Sequence, residues 1–410
     1  MTDSLWPDLA SKLEDGEDRP QEGEAPLAGI RVVEVAQNLA GPYCTRILQD
    51  LGAEVLKIEP PQGDAARRWG PPFHQGAGTI FALANAGKRS RRLDLSTTEG
   101  REALRGILKR ADVVVHALRP GVMEALELGD EALAALNPRL VRFQVLAYGE
   151  EGPLAHLPGY EPLMQAHAGV MSYTGPRGGA PVRVGTSIVD MGTGMWGVVG
   201  ILAALRTRDR TGRGSRVSGA LFDTAVAWSG YHLLGAAADG TVPRPMGTEL
   251  PMICPYGVFP CTDGEVMLAV GTDGMFRRLC GALGLDDLVD DDRFSTNPDR
   301  VANRDPLNRR VAGATSSFGV EALLSLLRSA GVPCAPVRNV GELLEDPQLA
   351  ASGMLVRGPV PSDQPDRGRQ IGVALPLRFE GRRPVAPTSV PTAGPPMNQG
   401  DSGAPPDSGA

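Results

Sequence analysis

The chain of 410 residues lacks the common nucleotide motifs where an α/β fold would place them. The turn after the first predicted strand, residues 36–42, has no Gly-x-Gly-x-x-Gly, so the glycine-rich turn that binds a dinucleotide pyrophosphate is missing. A Gly-x-x-x-x-Gly-Lys-Ser/Thr phosphate loop is absent as well. These absences argue against a protein that depends on NAD or ATP.

Metal and disulfide signatures are also missing. The five histidines show no metal-ligand spacing, and the five cysteines form no Cys-x-x-Cys pair. An odd number of scattered cysteines in a large chain favours reduced thiols in a cytoplasm over disulfides or zinc. We therefore expect a cytoplasmic protein without a bound metal or a permanently bound cofactor.

Charge of one sign is concentrated at the N-terminus. The formal net charge is −7, and residues 1–25 carry eight acidic and two basic side chains, so the remainder is close to neutral. A neutral body gives no basic field for nucleic acid. No stretch has the length and purity expected of a membrane span. The sequence predicts neither a nucleic-acid nor a membrane partner.

Both ends of the chain have the composition of disordered segments. The sequence predicts a disordered acidic extension at 1–25 and a disordered Pro/Gly/Ser-rich tail at 385–410.

Short β-branched runs alternate with helical patterns from residue 29 onward. This alternation predicts an α/β fold with a Rossmann-like large domain over residues 26–222. A hairpin at 255–270 and helices at 273–283 and 319–330 predict a smaller α/β domain over 240–330. Residues 331–384 are expected to return and complete the large domain.

Asp190 is the candidate nucleophile. It follows a Pro/Gly-rich loop and precedes an apolar run, 194–206, that reads as a buried helix. The positive end of a helix favours an ionised carboxylate, which can attack an electrophile. A plain N-cap is the structural alternative.

Two further segments are candidate ligand contacts. Tyr160 and Glu161 lie in a glycine-rich loop at the end of a predicted strand, where α/β proteins bind their ligands. A dense basic cluster could bind a phosphorylated cofactor, and a solvated loop explains it equally well; its members are Arg67, Arg68, Lys88, Arg89, Arg91 and Arg92.

Taken in order, these segments resemble the class III CoA-transferases, the CaiB/BaiF family, which includes formyl-CoA transferase and α-methylacyl-CoA racemase. The similar motifs are Ala-Gly-Pro-Tyr-Cys at 40–44, Arg-Pro-Gly-Val-Met at 119–123, Gly-Tyr-Glu at 159–161, Thr-Gly-Arg-Gly at 211–214 and Pro-Tyr-Gly-Val-Phe at 255–259. Further matches occur at 51–59, 63–64, 88–90, 93–95, 111–115, 137–141, 201–205, 263–264, 293–294 and 331–333. The resemblance covers roughly residues 27–384.

The resemblance implies that Asp190 attacks an acyl-CoA, forms an anhydride and then an aspartyl-CoA thioester, and passes CoA to a carboxylic acid. Glu161 and Tyr160 are the implied catalytic neighbours. The implied contacts to the CoA thioester, which is a co-substrate, are Lys88, Arg89, Arg91, Arg92, Leu93, Arg67 and Arg119. It also implies an interlocked homodimer, and a heteromer is an alternative.

Two alternatives stay open. A 2-methylacyl-CoA racemase would use an aspartate at position 190, but a racemase histidine is replaced by Tyr160, whose ordinary pKa of about 10 suits a neutral-pH base poorly. A non-catalytic subunit is the other alternative, because several CoA-contacting positions of formyl-CoA transferase are changed here, at Leu39, Pro60, Ser96, Ala117, Ala125 and Pro158. For this reason formate and oxalate specificity is not carried over.

Overall fold

A computed structural model describes residues 25–357, 371–384 and 388–394. The chain divides into two compact units. The larger unit holds residues up to 170, 184–234 and those from 347 onward, and the smaller holds 171–183 and 235–346. The described ranges contain a parallel sheet with surrounding helices, which confirms the predicted α/β class.

The larger unit is built on a six-stranded sheet in which every neighbouring pair is parallel. In spatial order its strands are Arg89–Arg92, Glu54–Glu59, Arg31–Val35, Val113–His116, Val141–Leu146 and Arg216–Ala220. Numbered along the chain this is the order 3-2-1-4-5-6 of a doubly wound dinucleotide fold. The order of strands reverses between Arg31–Val35 and Val113–His116, and such a reversal opens a crevice beyond the carboxyl ends of the strands.

Helices of the larger unit cover the sheet, since strands buried on both faces must be screened from water. Val32, Val33 and the strand Val113–His116 are buried at the centre. The helices are Ala40–Asp50, Thr79–Asn85, Thr98–Leu108, Val122–Ala125, Asp130–Leu136, Glu161–His167, Ile188–Thr211, Leu221–Trp228 and Pro347–Ser352, with a 3₁₀ turn at Ala65–Arg68. Helix Gly230–Asp239 contains the boundary between the units.

The helix that carries Asp190, Ile188–Thr211, packs closely on Ala40–Asp50. Glycine permits the approach, because a Cβ at Gly194 would lie 2.8 Å from the Ala40 carbonyl oxygen. By length and composition this helix is apolar enough to cross a membrane, so the prediction that no stretch met that criterion was wrong. One such helix is weak evidence for a span, because half of its most apolar stretch is buried and core helices meet the same criterion.

The smaller unit contains a three-stranded antiparallel sheet in the order Cys334–Pro336, Glu265–Ala269, Tyr256–Pro260. Its helices are Asp273–Leu283, Asn297–Ala302, Arg304–Thr315, Val320–Ser329 and Val340–Leu344, with 3₁₀ turns at Asp286–Leu288 and Asp292–Phe294. Phe259, Phe276 and Phe294 are buried in its core.

The structure moves the predicted boundaries in two places. Residues 171–183, which were expected in the large domain, belong to the smaller unit. Residues 331–346 were assigned to the returning segment, but they belong to the smaller unit because Cys334–Pro336 pairs with Glu265–Ala269. The larger unit resumes at residue 347. There the strand Leu355–Arg357 pairs with Ile371–Val373.

Part of the predicted disordered tail, 385–410, is folded. Residues 388–394 lie on the larger unit, where Thr388 is buried and Val390 packs against a cluster containing Phe81. The Pro391 carbonyl accepts a hydrogen bond of 2.8 Å from Arg67 Nη1. The remaining tail positions and the predicted extension up to residue 24 lie outside the described residues.

Candidate active site

The larger unit has a cleft of about 1060 Å³ at the carboxyl end of its sheet. Its walls are the segments that follow the strands, at residues 36–41, 60–62, 117–120 and 157–162, together with the start of the Asp190 helix. Two of these segments follow the pair of strands between which the order reverses. The cleft therefore occupies the place where doubly wound folds bind their ligands.

Asp190 lies in the first turn of its helix and lines the cleft. Burial, with a smaller contribution from the charge of Glu161, raises the pKa of its carboxyl group from 3.8 to about 7. The sequence-based expectation of a carboxylate kept ionised by the helix end is corrected here. Desolvation and repulsion outweigh the helix dipole, whose effect is typically about 0.3–1 kcal/mol.

Glu161 begins the helix Glu161–His167 and lines the same cleft, although its side chain is buried. Its Oε1 accepts a hydrogen bond of 2.5 Å from Gln165 Nε2. Tyr160 stands before it at the N-cap position and is 62% exposed. The structure thus brings the three predicted catalytic residues to one cleft.

Leu93 and Arg119 are the predicted CoA contacts that line this cleft. Leu93 is buried and gives an apolar wall, whereas Arg119 is exposed. No ion pair of Arg119 occurs among the residues that the structure describes, so its guanidinium is free to meet an anion. It is the one basic side chain among the described residues of the cleft wall.

Lys88 does not reach the cleft, which corrects the prediction that it contacts CoA. Its ammonium is buried and bonds to Glu34 Oε2 at 2.7 Å, the Pro42 carbonyl at 2.8 Å and Asn85 Oδ1 at 3.0 Å. These acceptors use all three of its N–H donors. Burial lowers its pKa to about 8, against the attraction of Glu34.

Lys88 belongs to a buried charge network beside the cleft. Glu34 also pairs with Lys57 at 2.5 Å, and Lys57 pairs with Asp64 at 2.9 Å. Asp64 in turn accepts from the backbone N–H of Asn38, which has a left-handed φ of 69° and lines the cleft. The network holds the loop that follows the first strand.

Of the other arginines predicted to contact CoA, three lie on the edge strand Arg89–Arg92, and Arg67 lies in the 3₁₀ turn Ala65–Arg68. Arg67 pairs with Glu59 at 2.5 Å, and Arg92 donates to the Gly394 carbonyl at 3.0 Å. Arg89 and Arg91 are exposed, and Arg89 lies 3.6 Å from Glu54. Arg67 is therefore committed to an internal ion pair, and none of the four lines the cleft in the described structure.

Two residues near the site were missed. Asn38 and Gln165 carried no motif, although Gln165 stands four residues after Glu161, the spacing at which helical side chains meet. The described residues contain no group of three His, Cys, Asp or Glu side chains that could hold a metal ion.

Comparison with known proteins gives consistent matches along the chain. The family model described as CoA-transferase family III matches residues 27–396. A succinate–glutarate CoA-transferase of Agrobacterium fabrum is 37% identical over 81% of this chain and 84% of its own length. A succinyl-CoA:mesaconate CoA-transferase of Haloarcula hispanica is 38% identical over 85% of this chain and 88% of its own length.

A solved structure agrees with these sequence matches. The crystal structure of a CAIB/BAIF family protein from Brucella suis has a TM-score of 0.76 and 37% identity, covering 88% of this chain and 94% of that one. The predictions of family and enzyme class are confirmed. The chain belongs to CoA-transferase family III and is a CoA-transferase of the class III type.

Proposed function

We propose that this enzyme moves CoA from an acyl-CoA donor to a carboxylic acid through covalent intermediates on Asp190. The observation that carries the proposal is the position of Asp190 at a helix start in the cleft, beside Glu161 and facing the carboxyl ends of the strands. A carboxylate that water solvates poorly is a better nucleophile than an exposed one.

The first half of the reaction transfers CoA to the protein. A carboxylate oxygen of Asp190 attacks the thioester carbonyl, the carbon–sulfur bond breaks, and CoA thiolate leaves an acyl–aspartyl anhydride. The thiolate then attacks the aspartyl carbonyl of this anhydride. The donor leaves as a carboxylate, and an aspartyl-CoA thioester remains.

The second half repeats the chemistry with the acceptor. The acceptor carboxylate attacks the aspartyl thioester and releases CoA thiolate, which attacks the acceptor carbonyl of the new anhydride. Acyl-CoA leaves, and the Asp190 carboxylate is restored. No water and no net proton enter the cycle, and each thioester bond is exchanged for another. Energy from ATP is therefore not needed.

Arg119 and Leu93 are the cleft residues that we assign to CoA. The guanidinium of Arg119, which has no ion pair among the described residues, suits an anionic group, and the buried Leu93 suits an apolar portion of the thioester. The exposed Arg89 and Arg91 extend this basic surface along the edge of the sheet.

Short dicarboxylic acids are the substrates that we expect. Relatives at 37% and 38% identity are named for succinate, glutarate and mesaconate. A panel of succinyl-, glutaryl-, acetyl- and 2-methylacyl-CoA donors, each with several acids, tests this expectation. Transfer confined to monocarboxylic acids would contradict it.

The test of the covalent mechanism is mass spectrometry of the intact protein after incubation with each acyl-CoA, followed by hydroxylamine. We expect a CoA adduct that hydroxylamine converts to a hydroxamate at Asp190, and no adduct on Asp190→Asn. Transfer without any adduct at Asp190 would refute the mechanism. Exchange of an α-proton without acyl transfer would indicate a racemase, and no reaction would indicate a non-catalytic subunit of a heteromer.

We also assign an interlocked homodimer, for which an exposed apolar surface on the larger unit is the support. Met195, Trp196 and Val199 are 53%, 47% and 56% exposed, and Trp228, Tyr231 and Leu234 continue this surface. Trp196 and Trp228 lie 6.0 Å apart between ring centroids. An apolar patch of this kind is typical of an interface. Light scattering of the purified chain tests it, because a monomer would favour the heteromer.

A cytoplasmic location completes the proposal. All five cysteines are described and free, and Cys44 and Cys280 are buried thiols. Reduced cysteines fit a reducing compartment. Cell fractionation with an antibody against the chain tests this location.

A further inference from the structure

Behind the cleft, one buried amide joins the two segments that carry the acidic residues. Gln165 is fully buried and lies one helical turn after Glu161. Its Nε2 is 2.5 Å from Glu161 Oε1, and its Oε1 accepts a bond of 2.9 Å from the backbone N–H of Val184. Val184 begins the short segment that leads into the Asp190 helix.

The groups around the side-chain amide of Gln165 fix its orientation. A backbone N–H can only donate, so the Gln165 oxygen must face Val184, and its NH₂ group must face Glu161. The carboxylate of Glu161 therefore always has a donor at Oε1. Such a bond fixes the orientation of the Glu161 carboxyl group.

We propose that Gln165 is a positioning residue for CoA transfer, which fixes the Glu161 carboxylate relative to the segment that leads into Asp190. Gln165 is not among the described residues that line the cleft, so it acts through Glu161 and Val184 rather than on the substrate. The inference rests on the proposed function, because it assumes that Asp190 reacts.

The position of Glu161 affects the pKa of Asp190. The negative charge of Glu161 contributes to the raised pKa of Asp190. If Glu161 moves or turns away, this contribution falls. Attack also requires the reacting groups to be held within a few tenths of an ångström, since a displacement of about 1 Å can reduce a rate about 100-fold.

Among the titratable groups described near this pair, Glu161 is the one whose charge raises the pKa of Asp190. The helix Glu161–His167 packs on the Asp190 helix and on Leu221–Trp228, which carries Asp223. Tyr160 precedes the first of these helices, and His167 ends it in contact with the rings of Tyr148 and Phe222. The other charged side chains of the Asp190 helix lie between residues 206 and 210, about 24–30 Å from Asp190 along the helix axis at 1.5 Å per residue.

Two variants of Gln165 and one control test its bonds. Gln165→Met keeps the volume and removes both bonds, and Gln165→Leu removes both bonds with a branched side chain of similar volume. Gln49→Met is the matched control, since Gln49 is a partly buried glutamine that bonds to the Ala86 carbonyl outside the cleft wall. Each is measured for kcat, for KM of the acyl-CoA and for the pH dependence of kcat/KM, alone and combined with Glu161→Gln.

We expect Gln165→Met to lower kcat at least about tenfold with little change in KM. The acid limb of its pH profile of kcat/KM should move to lower pH, and the same displacement should appear in Gln165→Leu. In the Glu161→Gln background, neither Gln165 variant should move the limb further. The control should leave the limb unchanged.

The outcomes separate this inference from the proposed function. An acid limb that stays in place in both Gln165 variants would overturn the positioning role, even if stability falls. A displacement that adds fully to that of Glu161→Gln would also overturn it, because Gln165 would then act independently of Glu161. Absence of transfer and of a hydroxylamine-sensitive adduct in the unaltered enzyme would instead refute the proposed function.

Discussion

Replacing Asp190 with asparagine should make the protein more stable at neutral and alkaline pH while abolishing transfer. Asparagine has the shape of the aspartate side chain but cannot ionise, so it avoids placing a charge in the cleft beside Glu161. The catalytic residue is thus expected to be a source of instability in the free enzyme. The prediction tests whether burial, rather than the helix end, controls this carboxyl group.

The magnitude and sign follow from the pKa of Asp190, which rises from 3.8 to about 7 on folding. A tenfold change in an ionisation constant corresponds to about 1.4 kcal/mol, so the upper limit of the effect is about 4 kcal/mol. Partial exposure screens the charge, and we expect about 2–4 kcal/mol. The folded protein holds the proton more tightly, so the loss is absent below about pH 4, grows up to about pH 7 and is complete above it.

Urea unfolding of the two proteins at several pH values between 4.5 and 8.5 measures this difference. Asp209→Asn on the same helix is the control, because its side chain is 58% exposed and its replacement should change stability by less than about 0.5 kcal/mol. A stability difference between Asp190→Asn and the unaltered protein that is constant with pH would refute the reasoning. A variant that is less stable at pH 8 would show that the helix end stabilises the charge.

Three other predictions follow from the site. Glu161→Gln removes a charge that raises the pKa of Asp190, so the acid limb of kcat/KM should move below its position in the unaltered enzyme; a limb that stays in place would contradict this. Lys57→Met leaves the buried Glu34 and Asp64 without one of their cations and should lower the free energy of unfolding by about 3–5 kcal/mol in urea titration, whereas an unchanged midpoint would argue against the network. Arg119→Ala should raise the KM for acyl-CoA about 10- to 100-fold without changing the melting temperature, and an unchanged KM would remove Arg119 from the CoA site.

Much of the fold could be predicted because it depends on local pattern. The first buried strand, Arg31–Val35, ends directly before the turn at residues 36–42, as predicted, since β-branched runs bounded by turn residues are strong signals. The domain boundary near residue 331 was predicted wrongly because it depends on a long-range contact rather than on a local pattern. Cys334–Pro336 is only three residues long, and its pairing with Glu265–Ala269 is a contact between distant parts of the chain that no local pattern encodes.

The basic cluster shows why a run of like residues predicts a site poorly. The residues from 88 to 92 were interpreted either as phosphate-binding or as a solvated loop, yet four of them form the edge strand Arg89–Arg92. Alternation along a strand sends neighbouring side chains to opposite faces, so Arg89 and Arg91 reach solvent while Ser90 is buried against Glu59. Charged residues on an edge strand also discourage pairing with other chains, which is a structural reason for their presence.

The position of Asp190 was predictable from the sequence, but its protonation was not. A helix start is visible in the order of residues, and it suggested an ionised carboxylate. Burial and the nearness of Glu161, which stands 29 positions earlier in the chain, appear only in the folded protein and reverse that expectation. For the proposed reaction this reversal has a use: a carboxylate with a raised pKa is more nucleophilic once ionised, and at neutral pH a substantial fraction of it carries the charge needed for attack. The desolvation that should destabilise the free enzyme therefore also makes Asp190 more reactive. The stability of the Asp190→Asn variant tests whether this desolvation is present.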